Sequence, residues 1–170
     1  MFASWESYDF YTAFQAGGFL KPLPKRKPDR AGGRYLVNVV AAFDIETSRI
    51  DLPIENGYKQ NSHSFMYIWQ FQLGPDETYT GRSWKECMRF FRRLAASCAD
   101  NEYYVIYVHN LSFEFQFLSG QYDFTDDEVF CVESRKILKC DMFNHLEFRC
   151  SYLHTNMSLA EYLDKMGVED

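Results

Sequence analysis

The sequence contains no apolar stretch near the roughly 18 residues that a membrane span requires, because Lys, Arg, Glu or Gln interrupts every long run. It also lacks a CxxC pair, and its five cysteines (Cys87, Cys98, Cys131, Cys140 and Cys150) are an odd number. That usage suits a reducing compartment better than a disulfide framework. The N-terminus "MFASWESYDF" has acids where a secretory signal would have a basic start and an apolar run. The expectation is therefore a soluble, cytoplasmic protein without a membrane partner. Positive charge is not in excess either: the net charge of −6 argues against coating nucleic acid by bulk attraction. It leaves room for an enzyme that grips a strand locally and keeps metal in an acidic pocket.

What is present is a core-forming composition. Hydrophobic residues make up 46% of the chain and aromatics 18%, which excludes a disordered polymer. The 170 residues suffice for one domain with a real core. Residues 1–33 stand apart, since "KPLPKRKPDRAGGR" concentrates prolines, glycines and cations and cannot continue a helix or a central strand. It reads as an arm or linker, either a solvated connector or a segment that contacts phosphates.

From residue 34 the pattern is that of a folded domain. "RYLVNVVAAFDIE" is a near-continuous apolar run, expected to be a strand buried on both faces. Asn56-Gly57 suggests a tight turn, and "HSFMYIWQFQLG" with "ETYTG" suggests a hairpin around "GPDE". Ser83 and Glu86 stand at capping-box spacing before Trp84, Cys87, Met88, Phe91, Leu94, Ala95 and Cys98, which mark one buried helix face. "YYVIYVHN" reads as another buried strand, followed by a short helix from about Ser112. Two or three antiparallel strands around a turn near Asn144 come next. A helix capped by Ser158 and Glu161 and ended by Gly167 closes the sequence. This order indicates an α/β domain with a mixed sheet and flanking helices.

Two stretches carry the chemistry. In "AAFDIETSRI", Asp44 and Glu46 are two positions apart, so on a strand they share a face. Like charges held that close repel unless a cation sits between them. In "YVHNLSFEFQFL", a buried strand leads into a helix where Asn110 and Glu114, four apart, should project together. If the two strands are neighbours, Glu114 comes within reach of Asp44 and Glu46. Three hard oxygen donors suit Mg2+ or Mn2+ better than zinc.

"FDIET" followed by "HNLSFEFQFL" resembles the first and second exonuclease motifs of family B DNA polymerases, most closely those of the protein-primed enzymes of bacteriophages and linear plasmids. "MSLAEYL" is similar to a smaller motif of that family that contacts single-stranded DNA. The resemblance spans residues 34–170 and implies a ribonuclease-H-like, DnaQ-type fold acting as a 3′→5′ proofreading exonuclease. It further implies two divalent ions about 3.5–4 Å apart, with Asp44 bridging them, Glu46 completing one site and Glu114 supporting the other. Thr47, Asn110, Phe113, Ser158 and Leu159 match family positions that hold the frayed 3′ end of DNA. Tyr107, His109 and Phe117 match positions near that strand or a terminal priming protein. The remainder of a polymerase chain is an implied partner, and the host cytoplasm the implied location.

Two features depart from the family. Its second motif usually ends in Asp, where this sequence has Glu114. Its third motif, a Tyr four positions before an Asp, does not occur at Tyr162, where Met166 stands four positions later. On the family pattern that motif and a catalytic lysine would lie beyond Asp170, so the expectation is a C-terminally incomplete exonuclease domain. Two other readings stay open: a non-catalytic nucleic-acid- or protein-binding relative, and a standalone nuclease or nucleotidyl hydrolase of the same fold. The bland readings weighed beside these are a solvated turn for Asp44 and Glu46, helix caps for Asn110 and Ser158, and core positions for Phe113 and Phe117. Cys140, His145, Cys150 and His154 lack the knuckle spacing of a structural zinc site, and Asp141 reads as structural.

Overall fold

The computed structural model describes residues 25–28, 33–51, 62–75, 77–133 and 136–167. Most of the proposed arm and the Asn56-Gly57 turn lie outside these residues. The strands are β1 (Lys25–Pro28), β2 (Tyr35–Val37), β3 (Ala41–Asp51), β4 (Ser62–Leu73), β5 (Glu77–Gly81), β6 (Glu102–Val108), β7 (Val129–Glu133), β8 (Lys136–Met142) and β9 (Leu146–Cys150). The helices are α1 (Trp84–Ala96), α2 (Leu111–Leu118), α3 (Tyr152–Thr155) and α4 (Leu159–Met166).

The sheet runs β5-β4-β3-β6-β9-β8-β7. β3, β6 and β9 are parallel, while β4, β5, β7 and β8 pair antiparallel with their neighbours. The fold is thus α/β with an open mixed sheet and flanking helices. Part of the basic stretch read as a linker pairs instead: β1 lies antiparallel to β2, off the main sheet path, a peripheral position where Pro28 is tolerated.

One face of the sheet holds the core. Phe43, Trp69, Phe71, Ile106 and Phe148 are buried there beneath Phe90 and Phe91 of α1. Phe91 meets Phe43 at 5.1 Å and Phe148 at 5.3 Å in edge-to-face geometry, and Phe90 meets Phe71 at 4.8 Å. Each such ring contributes about 1.5–3 kcal/mol of burial. The capping box expected for α1 is present, with Ser83 Oγ accepting from Glu86 N–H and Glu86 accepting from Ser83 N–H.

The run read as one strand buried on both faces is two strands. From Leu36 to Ala41 this chain advances five residues while the facing β6 advances three, from Tyr103 to Ile106. The surplus is looped out: Val39 N–H turns back onto the Val37 carbonyl at 2.8 Å, and Val40 is left 70% exposed. Beyond the break only one face of β3 is buried, with Ala41, Phe43 and Ile45 inward and Ala42, Asp44 and Glu46 outward. At the other end of the sheet, Phe143 and Asn144 both have positive φ and turn β8 into β9 where a turn was expected.

Candidate active site

β3 pairs with β6 only at Ala41 and Ala42, then continues beside β4 as far as Asp51. Asp44 and Glu46 therefore do not end the strand, contrary to the sequence reading. They sit beyond the last β3–β6 pair, at Ala42, where the parallel neighbour no longer flanks β3. The register with β4 slips immediately after Glu46, which adds local twist at this point.

β6 delivers the other half. After Val108 the chain passes His109 and Asn110 and enters α2. Asn110 adopts the left-handed conformation (φ 63°, ψ 56°), which a short amide side chain tolerates better than most. The sharp turn that results has two consequences. The Asn110 side chain makes no capping bond and lies exposed, whereas Glu114, in the first turn of α2, is only 3% exposed. The two do not project together as the four-residue spacing had suggested, because Asn110 lies outside the helix.

Electrostatics tie these elements together. Burial pushes the Glu114 carboxyl up to about 8, partly offset by a backbone hydrogen bond, and the charge of Asp44 raises it further. Oε2 of Glu114 is buried with no hydrogen-bond partner. Asp44 is solvent-accessible at the residue level, yet enough protein crowds its carboxyl group that desolvation raises its pKa, as does the charge of Glu46. A backbone hydrogen bond from Ile45 and then the charge of His109 act the other way. Asp44 is thus the hub, acting on or acted on by Glu46, Glu114 and His109.

His109 has an environment the sequence did not reveal. Its Nδ1 lies 3.4 Å from Ser151 Oγ, which also donates to the Val108 carbonyl at 3.3 Å. Its ring meets Tyr152 edge-on at 5.6 Å, and its buried Nε2 has no partner. Ser151 lies 42 residues away in the chain, so no local pattern could have announced it. Gln70, directly across the ladder from Asp44, was legible in principle from the alternation "WQFQ".

No protein-family model matches the chain, and no curated protein or solved structure does.

The remaining candidate residues divide. Tyr107, opposite Ala42, shares the sheet face of Asp44, with its ring 6.5 Å from His154. Phe113 is 37% exposed and leans on Phe117 at 5.4 Å, while Phe117 is half-buried and stacks on Trp84 at 6.4 Å. Alternation sends Thr47 to the opposite face from Asp44 and Glu46. Ser158 caps α4 through Glu161 and accepts from Tyr162 N–H, and Leu159 beside it is 49% exposed.

Of the residues weighed for zinc, Cys140 is buried opposite Phe148, His145 Nδ1 bonds the Glu102 carbonyl at 2.7 Å, and the His154 ring lies against Tyr107. Asp141, read as structural, pairs with Lys139 at 3.1 Å.

Two or three crowded carboxylates with an orphaned buried oxygen match the donor chemistry of a hard divalent ion. Among the described residues, no three His, Cys, Asp or Glu side chains are close enough to hold one ion together. Of the divalent ions, one of the Mg2+ kind is commonly held by only one or two carboxylates, with water and substrate phosphate completing its shell.

Proposed function

We propose that this chain carries the 3′→5′ exonuclease site of a protein-primed family B DNA polymerase, acting on the single-stranded 3′ end of DNA. The observation that carries this reading is the electrostatic convergence on Asp44: a β3 carboxylate coupled both to its neighbour Glu46 and to a buried carboxyl group arriving from β6 and α2. The strand order is a second support. β3, the hairpin strands β4 and β5, helix α1, the parallel strand β6 and then β9 follow the sequence of elements of a ribonuclease-H-like fold.

Asp44, Glu46 and Glu114 are the residues that would hold divalent ions. Bound there, such ions supply Lewis-acid stabilisation of the attacking and leaving oxygens of a phosphodiester. The protein's own contribution is positional. The bulge beyond Glu46 and the left-handed turn at Asn110 fix the two backbones from which the acids project. Burial keeps the Glu114 carboxyl protonated below about pH 8 when no cation is present, so a cation would have to displace a proton there. Phe113, exposed beside Glu114, offers a ring face for a terminal base. His109 Nε2, buried and without a partner near Asp44, is placed to hydrogen-bond a substrate oxygen.

The test is hydrolysis of a 3′-labelled single-stranded oligonucleotide in the presence of Mn2+. The reading expects release of the labelled mononucleotide, reduced about 100-fold or more by Asp44→Ala. Release that persists undiminished in Asp44→Ala would refute it.

A second reading has its own observation. No Asp stands four positions after Tyr162, and no three candidate ligands among the described residues gather around one point. Both favour a non-catalytic relative that binds nucleic acid or protein. Strand binding by the wild type, with no Mn2+-dependent release of nucleotide, would select it.

A further inference from the structure

The outer face of α1 carries a row of cations. Its exposed residues are Lys85, Glu86, Arg89, Arg92, Arg93 and Ala96, four of them cationic in a chain whose net charge is −6. Arg82, also exposed, stands just before the helix. Lys85, Arg89 and Arg93 recur every four residues, and Arg92 follows Arg89 by three, so each cation has a like charge as its helical neighbour, an arrangement that destabilises a helix. Lys85 lies in the first turn, at the positive end of the helix dipole, and Arg93 in the last turn is the one placed favourably. The carboxylate of Glu86 is engaged by the backbone N–H groups of Arg82 and Ser83.

The stripe is joined to the candidate active site by aromatic rings. Trp84, the residue before Lys85, stacks on Phe117 at 6.4 Å with an interplanar angle of 21°, and Phe117 meets Phe113 at 5.4 Å. Phe113 is exposed and adjoins Glu114. At the far end, the Arg92 guanidinium sits 5.8 Å from the ring of Phe143 in the β8–β9 turn. Cations in a row and exposed rings are the two components by which proteins hold single strands, phosphates on the former and bases on the latter; of the Trp84, Phe117 and Phe113 rings, that of Phe113 is the exposed one.

We propose that the outer face of α1 is a docking track for the phosphate backbone of a single-stranded nucleic acid, with the exposed ring of Phe113 offered to its bases. The choice of nucleic acid over another polyanion rests on the nuclease reading and on that ring. The experiment is therefore made in EDTA, where metal-dependent hydrolysis plays no part and its outcome is independent of that reading.

Fluorescence anisotropy of a labelled oligodeoxythymidylate is followed for the whole chain as salt is raised. The comparison is a variant with Lys85→Gln, Arg89→Gln, Arg92→Gln and Arg93→Gln, and a milder one with Arg92→Gln alone. Gln is a good helix former, so α1 should persist, and circular dichroism checks this. The expected result is wild-type binding that weakens with salt, with the log–log slope reduced by about 0.7 for each phosphate contact removed. Affinity falls at least tenfold in the fourfold variant and measurably in Arg92→Gln. Asp44→Asn leaves the loss intact when combined with the fourfold change. Equal affinity and slope in wild type and fourfold variant, or no binding by the wild type at low salt, overturns the proposal. So does displacement of the oligonucleotide by polyglutamate at equal charge concentration, which would assign the face to an acidic protein.

Discussion

Glu114 holds a carboxyl group whose pKa is pushed up to about 8, against 4.5 in an unfolded chain. Between those values the folded state holds more protons than the unfolded state. The unfolding free energy of the cation-free protein therefore carries a contribution that is complete below pH 4.5, declines as pH rises through this window and is flat above about pH 8. Glu114→Gln keeps a neutral side chain at every pH and so removes the decline, not the low-pH stability. Urea denaturation in EDTA should find the variant more stable than the wild type near pH 8, by on the order of 1–3 kcal/mol, with the difference shrinking toward pH 4.5. A constant difference across this range would show that Glu114 titrates normally. The same residue also shows what sequence could and could not supply. That it was acidic and followed a buried strand was visible in "HNLSFEF". That it would be buried while Asn110 stayed outside followed from a left-handed turn at one residue, which spacing alone does not encode.

The secondary-structure elements were legible where their causes are local. The capping box and the i, i+3, i+4 rhythm of α1 lie within 16 residues, and the Phe143-Asn144 turn needs only its own dihedrals. The break between β2 and β3 was not legible, because it arises from a register against β6 that starts some 60 residues later. Two further predictions belong here. Gly81 faces Trp69 across the β4–β5 ladder, and a Cβ built on it would lie 2.5 Å from the indole Nε1. Gly81→Ala should displace the fully buried Trp69 ring and cost about 1–3 kcal/mol by overpacking, seen in chemical denaturation together with altered tryptophan fluorescence. Ser83→Ala removes a cap from α1 and should cost about 1 kcal/mol. The same change at Ser158 should cost less, because α4 has no buried residue whose packing depends on the helix.

For the whole molecule, the sheet is two-sided in its chemistry. One face is packed against α1 and α2 with aromatic and aliphatic side chains, and no helix among the described residues is long and apolar enough to cross a membrane. The other face, on the side of Asp44 and Glu46, carries Lys139, Asp141, Glu147 and Arg149, with Lys139 bridging both acids at 3.1 and 3.0 Å and Arg149 pairing with Glu147. The mixed α/β character followed from the order of elements, and the juxtaposition of Asp44 with Glu114 required only that β3 and β6 be neighbours. The polar network of β8 and β9 could not be read in advance, since it depends on the register that sets Lys139 opposite Arg149 and Asp141 opposite Glu147. If a divalent ion relieves the crowding of carboxylates at Asp44, it should raise the melting temperature of the wild type near pH 8. Below about pH 4.5, where the Glu114 proton is retained, the same ion should have little effect.

The account turns on whether the acids of β3 and α2 act as one cation site, and Mn2+ binding followed by electron paramagnetic resonance addresses this without requiring turnover. The wild type should quench the free-ion spectrum saturably near pH 8, and Asp44→Asn and Glu114→Gln should each weaken that binding at least about tenfold, while Asp141→Asn, on the β8 strand, leaves it unchanged. Equal quenching by the wild type, Asp44→Asn and Glu114→Gln would contradict the account.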